Sequence, residues 1–179
     1  MNEARFRAEQ MKALQAIEAG AFNPHAVLTG MRLEDGSYHV LSYCDDDVVT
    51  LPDSLFSAGT SNNQKLLNYL RVPLAFRETF KTCVTVYILK GIEGSSLPKG
   101  NTIRQFFYQA IAFLAWLHDQ RVFRLIDVTP LVCQQYVEFC KELKGHKGEP
   151  LSGSYLARRF TAVESLHTLS QQSSDPMTH

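Results

Sequence analysis

Apolar and polar positions along this chain follow two periods. Residues 3–19 place Phe6, Met11, Leu14 and Ile17 among Arg5, Arg7, Glu9, Lys12 and Glu18, an amphipathic helix stopped by Gly20. From residue 27 to 51 the period shortens. Glu34-Asp35-Gly36-Ser37 is a turn signal, with β-prone Tyr38, Val40 and Tyr43 beyond it, so a short hairpin is expected. Residues 57–63 form a polar break, after which Leu66, Leu67, Tyr69 and Leu70 predict a short helix. Residues 77–90 are apolar and β-branched at Val84, Thr85, Val86 and Ile88, but the run is long for a strand and reads as a helix. Gly91, Gly94, Pro98 and Gly100 mark the clearest linker.

The second half is more regular. Ile103, Phe106, Ala110, Phe113 and Leu117 recur at spacings of three and four, and Phe107, Ile111 and Leu114 widen the stripe. Thr129-Pro130 starts the next helix: the threonine caps, and the proline suits a first position that needs no amide hydrogen. Val132, Tyr136, Phe139 and Leu143 form its buried side, ending at Gly145. A basic, glycine-rich loop over residues 144–150 follows. Ser152 then caps a last helix with the stripe Leu156, Phe160, Val163 and His167. This half is expected to be a small helical bundle; the class is mainly α, with a mixed N-terminal half.

Composition excludes several classes. The 179 residues hold 18 Lys+Arg and 18 Asp+Glu, so neither a histone-like basic binder nor an acidic tail is present, and any nucleic-acid contact needs a local patch. No apolar run approaches a membrane span and residues 1–20 lack a signal-peptide core, so the sequence reads as soluble and intracellular, with no membrane partner. Cys44, Cys83, Cys133 and Cys140 form no C-x-x-C pair, which favours small core residues over ligands or disulfides.

Candidate chemistry is sparse. His118 and Arg121 make an H-x-x-R spacing with no nucleophile or second arginine in a recognisable arrangement, so it reads as a polar helix end. Asp45-Asp46-Asp47 lacks the glycine and ligand spacing of a calcium loop and reads as a solvated turn. His167, on an apolar stripe, reads as a structural histidine. No Walker loop or dinucleotide fingerprint is present, and no cofactor, metal or catalytic residue is assigned. Phosphate-gripping groups gather in two places. One is the exposed face of the helix after residue 100, with Lys99, Thr102, Arg104 and Tyr108. The other is the loop and start of the last helix, with Lys144, Lys147, Ser152, Ser154, Tyr155, Arg158 and Arg159.

Three motifs occur in order: Thr102, Phe106, Phe113, Trp116 and Leu117; then Leu125-Ile126-Asp127-Val128-Thr129-Pro130; then Leu151-Ser152-Gly153-Ser154-Tyr155, Arg158-Arg159 and Leu166-His167. Together they resemble the core-binding domain of tyrosine recombinases, the phage-integrase family. Tyr155 stands where that family commonly has threonine, and Phe106 where tyrosine is common. The resemblance covers residues 96–172 and implies a SAM-like four-helix bundle that grips duplex DNA near a crossover site. Catalysis would belong to a separate domain whose arginines, histidine motif and tyrosine nucleophile are not found here, so this chain is expected not to be an enzyme itself. Residues 173–179 would begin an interdomain linker, and residues 1–95 receive no role. The resemblance further implies site-specific recombination or integration by a mobile element, in a bacterial cytoplasm and on the nucleoid when bound. Double-stranded DNA and other recombinase protomers are the implied partners; a monomer is expected in isolation. The alternative is a helical protein-interaction module that does not bind DNA.

Overall fold

The computed structural model describes residues 1–178, and His179 lies outside the described residues. Helix α1 (Glu3–Glu18) is capped by the Asn2 side chain, which accepts from the Arg5 amide, and buries Phe6, Ala13 and Ile17. Strands β1 (Val27–Arg32) and β2 (Tyr38–Tyr43) pair antiparallel, as the turn signal predicts. Gly36 takes a φ of 80°, and the Asp35 carboxylate accepts from the Ser37 amide across the turn. Gly30 is needed where α1 meets this ribbon. A Cβ there would lie 2.3 Å from the Phe6 ring, which stacks on Tyr38 at 4.5 Å.

The structure departs from the sequence reading after the polar break. Leu66–Asn68 is a strand, β4, paired antiparallel with β3 (Val48–Thr50), and Tyr69–Arg71 is a single 3-10 turn rather than part of a helix. The physical reason is local. The Asn68 side chain accepts from the Leu70 amide, which diverts the backbone into a turn. Pro73 disfavours helical backbone just before it. Leu67 then pairs with Val49, both fully buried.

Four helices complete the chain: α2 (Arg77–Leu89), α3 (Gly100–Asp119), α4 (Pro130–Glu142) and α5 (Gly153–Ser170). The molecule is mainly helical, with two small antiparallel sheets. Three of the bundle helices begin after residue 96; the fourth, α2, precedes it and packs on both α5 and α3. Thr129 and Ser152 cap α4 and α5 as expected, accepting from Val132 and Tyr155. Helix α4 ends at Glu142, with Leu143 rather than Gly145 as its last bounding residue. Its Tyr136 and Cys140 are buried, whereas Phe139 is exposed. On α5 the deepest stripe is Ala162, Leu166 and Leu169, one step round from the expected one; Leu156, Phe160 and Val163 are half-buried. One hydrophobic core runs from α1 through the strands to α5. Tyr69 and Phe80 meet Phe107 in it at ring distances of 5.0 and 5.3 Å.

Residues 171–178 fold back onto the body instead of leading away. The Asp175 carboxylate accepts from the amides of Leu125 and Ile126 at 2.8 and 2.9 Å. Met177 is buried, its amide donating to Ser170 Oγ, and the Thr178 hydroxyl donates to the Val128 carbonyl. No helix among the described residues is long and apolar enough to cross a membrane.

Candidate nucleic-acid interface

The most extensive helix–helix contact is between α3 and α5, and the expected basic groups divide around it. Arg104 and Tyr108 stand one helical turn apart on α3, the guanidinium 5.4 Å from the ring centre. Tyr155 and Arg159 repeat the arrangement on α5 at 5.3 Å. Gln109, next to Tyr108, is among the groups that lower the pKa of the Tyr155 phenol, after Arg159.

Arg159 is held by two phenols. It donates to the Tyr136 hydroxyl at 3.1 Å and to the Tyr155 hydroxyl at 3.4 Å. Burial works against its charge, but the bonds to these two phenols outweigh burial and raise its pKa. The Arg159 hydrogen bond also holds the Tyr155 phenol below the ordinary tyrosine value, while burial pushes Tyr136 up. Neither Arg104 nor Arg159 has an ion-pair partner among the described residues. In each, Nε is buried without a hydrogen-bond acceptor. A buried donor left unmatched costs about 1–3 kcal/mol.

The remaining expected residues lie in different settings. Ser152 Oγ caps α5 and sits 3.2 Å from Ser154 Oγ, so both hydroxyls are at the positive end of that helix. Arg158 is exposed and makes only a long contact, 3.4 Å, to the Ser154 carbonyl. Lys144 and Lys147 lie on an exposed loop closed by a Gly145–Glu149 backbone bond of 2.7 Å, and the Glu149 carboxylate packs against Gly145, offsetting some of the loop's charge. Lys99 and Thr102 are on another side of α3, lining a shallow groove with Tyr87, Ser95 and Ser96, apart from Arg104.

Two groups that the sequence reading left out belong to this face. Tyr136, from α4, is the acceptor that fixes Arg159. Arg71, from the turn after β4, lies 5.1 Å from the centre of the Tyr108 ring. Nothing in the local pattern around Arg71 marks it, because only the β3–β4 pairing brings it to α3.

The other candidate clusters resolve structurally. His118 and Arg121 close α3; Arg121 takes a left-handed φ of 60° and its amide donates to the His118 carbonyl. Instead of facing only solvent, the acidic turn receives the buried Lys81 ammonium, which donates to the Asp45 carbonyl at 2.6 Å and to Asp45 Oδ1 at 2.9 Å. His167 is half-buried on α5. The four cysteines are unbridged; burial pushes the Cys44 thiol up to about 11 and the Cys83 thiol up to about 12. No group of three or more metal-ligating side chains occurs among the described residues.

No protein-family model, curated protein or solved structure matches this chain.

Proposed function

We propose that the α3–α5 face binds duplex DNA, as the DNA-gripping portion of a site-specific tyrosine recombinase or integrase. Strand cleavage and joining would be done by a catalytic domain outside this chain. One observation carries the reading: Arg104 and Arg159, on adjacent packed helices, each hold a buried Nε with no acceptor and no carboxylate partner. A phosphate supplies the countercharge that neither arginine has. Arg158 and the positive end of α5, with its Ser152 and Ser154 hydroxyls, extend the same kind of contact along the face. Such contacts position a phosphate backbone more than they read bases.

The test is fluorescence anisotropy with a labelled duplex of about 30 base pairs at two salt concentrations, where non-specific binding falls on the order of 10⁻⁴ to 10⁻⁶ M. Binding should weaken as salt rises, and Arg158→Ala/Arg159→Ala should lose most of it while keeping its helical circular dichroism. No binding at low salt overturns the proposal. A second reading, docking of a protein partner, is favoured by the exposed apolar side chains Phe123, Ile126 and Leu131 around the start of α4. Capture of a partner that persists in Arg158→Ala/Arg159→Ala and fails in Leu131→Glu would support that reading.

A further inference from the structure

The geometry points to a phosphate clamp formed by Arg71 and Arg104 on the two sides of the contact between β4 and α3, with Tyr108 as its platform. We infer that through Arg71 the segment before residue 96, which carries no motif of its own, takes part in binding. The inference deepens the DNA reading and rests on it only for what carries the phosphate.

The platform is fixed by the fold. The Tyr108 hydroxyl donates to the Leu66 carbonyl at 3.2 Å, tying the ring to β4 just before the chain turns through Tyr69–Arg71. The turn is held from beneath, because Tyr69 is buried edge-on against Phe107, the neighbour of Tyr108 on α3. Arg71 and Arg104 therefore reach the same ring from separate elements, at 5.1 and 5.4 Å from its centre.

A guanidinium that packs on an aromatic ring uses its π-face, leaving its in-plane N–H donors for other partners. Neither arginine has an ion pair among the described residues, although the chain has as many acidic as basic side chains. Of the acids before Arg71, Asp53 pairs with Lys65, and Asp45 and Asp47 pair with Lys81; Glu78 and Glu93, nearer in sequence, pair with neither arginine. Two like charges sharing one ring repel each other, and an anion between or beside them relieves that repulsion. Arg104 is half-buried, its Nε closed off from solvent, and Arg71 is exposed, so Arg104 supplies a fixed charge in the wall and Arg71 is open to an arriving ligand. Phosphate suits both, accepting from guanidinium donors with paired oxygens.

The test follows the side-chain Nε–H signals of Arg71 and Arg104 by nuclear magnetic resonance, assigned with Arg71→Gln and Arg104→Gln. The full chain is titrated with inorganic pyrophosphate and, separately, with the duplex used for anisotropy. The clamp predicts that both signals move with pyrophosphate and with duplex. It also predicts that Arg71→Gln, an exposed site without an ion pair, lowers the dependence of log affinity on log salt by about 0.9, the share of one phosphate contact. Signals that move with pyrophosphate but not with duplex would uphold the clamp and refute DNA as its carrier. Duplex binding with unmoved signals and an unchanged salt slope in Arg71→Gln would refute the clamp and leave the DNA reading standing. Signals that move with neither ligand also refute it.

Discussion

Lys81 allows a sharp energetic test, because its partners are unequal. Its side chain is 5% exposed, while those of Asp45 and Asp47 are 62% and 57% exposed. The ammonium has the Asp45 carbonyl, Asp45 Oδ1 and, at 3.6 Å, Asp47 Oδ1 around it, with the Tyr69 ring 5.5 Å away. In Lys81→Met the charge disappears, the thioether chain keeps most of the packing, and the carboxylates rehydrate where they stand. The cost is then close to one hydrogen bond to the Asp45 carbonyl, about 1 kcal/mol. In Asp45→Ala the buried cation remains and loses its nearest charge. Stranding a buried ion costs about 3–5 kcal/mol; the surviving carbonyl and Asp47 reduce that here to about 2–3 kcal/mol. Substituting the exposed partner should therefore cost more than substituting the buried one. Urea unfolding followed by circular dichroism reads this directly, since a loss of 2–3 kcal/mol lowers the midpoint by about 1 M for a slope of about 2 kcal/mol/M. The double variant should cost little more than Lys81→Met alone, because the acid matters chiefly through the cation. A larger loss in Lys81→Met than in Asp45→Ala, or costs that simply add, would refute the reasoning.

Two further outcomes follow from the packing and the thiols. Gly30→Ala places a Cβ 2.3 Å from the Phe6 ring and 2.9 Å from the His39 carbonyl oxygen; the ring can shift but the backbone yields less, so a loss of about 2 kcal/mol and a fall in Tm of about 4–8 °C are expected by calorimetry. Alkaline pH should destabilise the fold through Cys44 and Cys83, whose folded pKa values, about 11 and about 12, exceed the ordinary 9.0. The stability they contribute is whole below about pH 9 and is lost as pH rises towards their folded values, on the order of 2–3 kcal/mol by about pH 10. Denaturant midpoints compared at about pH 8 and about pH 10 should fall more steeply in the natural chain than in Cys44→Ala/Cys83→Ala.

Local signals carried much of this architecture. The Thr129-Pro130 and Ser152 starts, the Asp35-Gly36 turn and the apolar stripe of α3 are written within a few residues, and each occurs where those residues place it. Residues 66–70 misled because a short apolar run carries no reliable period, and pairing with Val48–Thr50 decided between strand and helix. The stripe of α5 lies one step round because both α2 and α3 pack on that helix, and Ala162, Leu166 and Leu169 are among its buried residues. The candidate interface was legible in part. Its pairs Arg104–Tyr108 and Tyr155–Arg159 lie within single helices and share the four-residue spacing. Arg71 and Tyr136 join them only through tertiary contacts, and helical phase separates Thr102 from Arg104 despite their closeness in sequence.

The folded-back tail bears on how α4 is retained. This helix leaves Leu131 and Phe139 exposed and makes far less contact with α5 than α3 does. Its N-terminal approach, residues 125–128, is gripped instead by Asp175 and Thr178, which follow α5. Chain from residue 125 to 178 is thus a closed loop with α4 inside it, and the clasp combines polar bonds at its ends with the buried Met177 side chain. Local opening should then begin at the clasp: once Asp175 and Thr178 let go, α4 loses an anchor that its own apolar face replaces only in part. The tail and α4 would open and close as one unit, while α3 and the rest of the core stay shut.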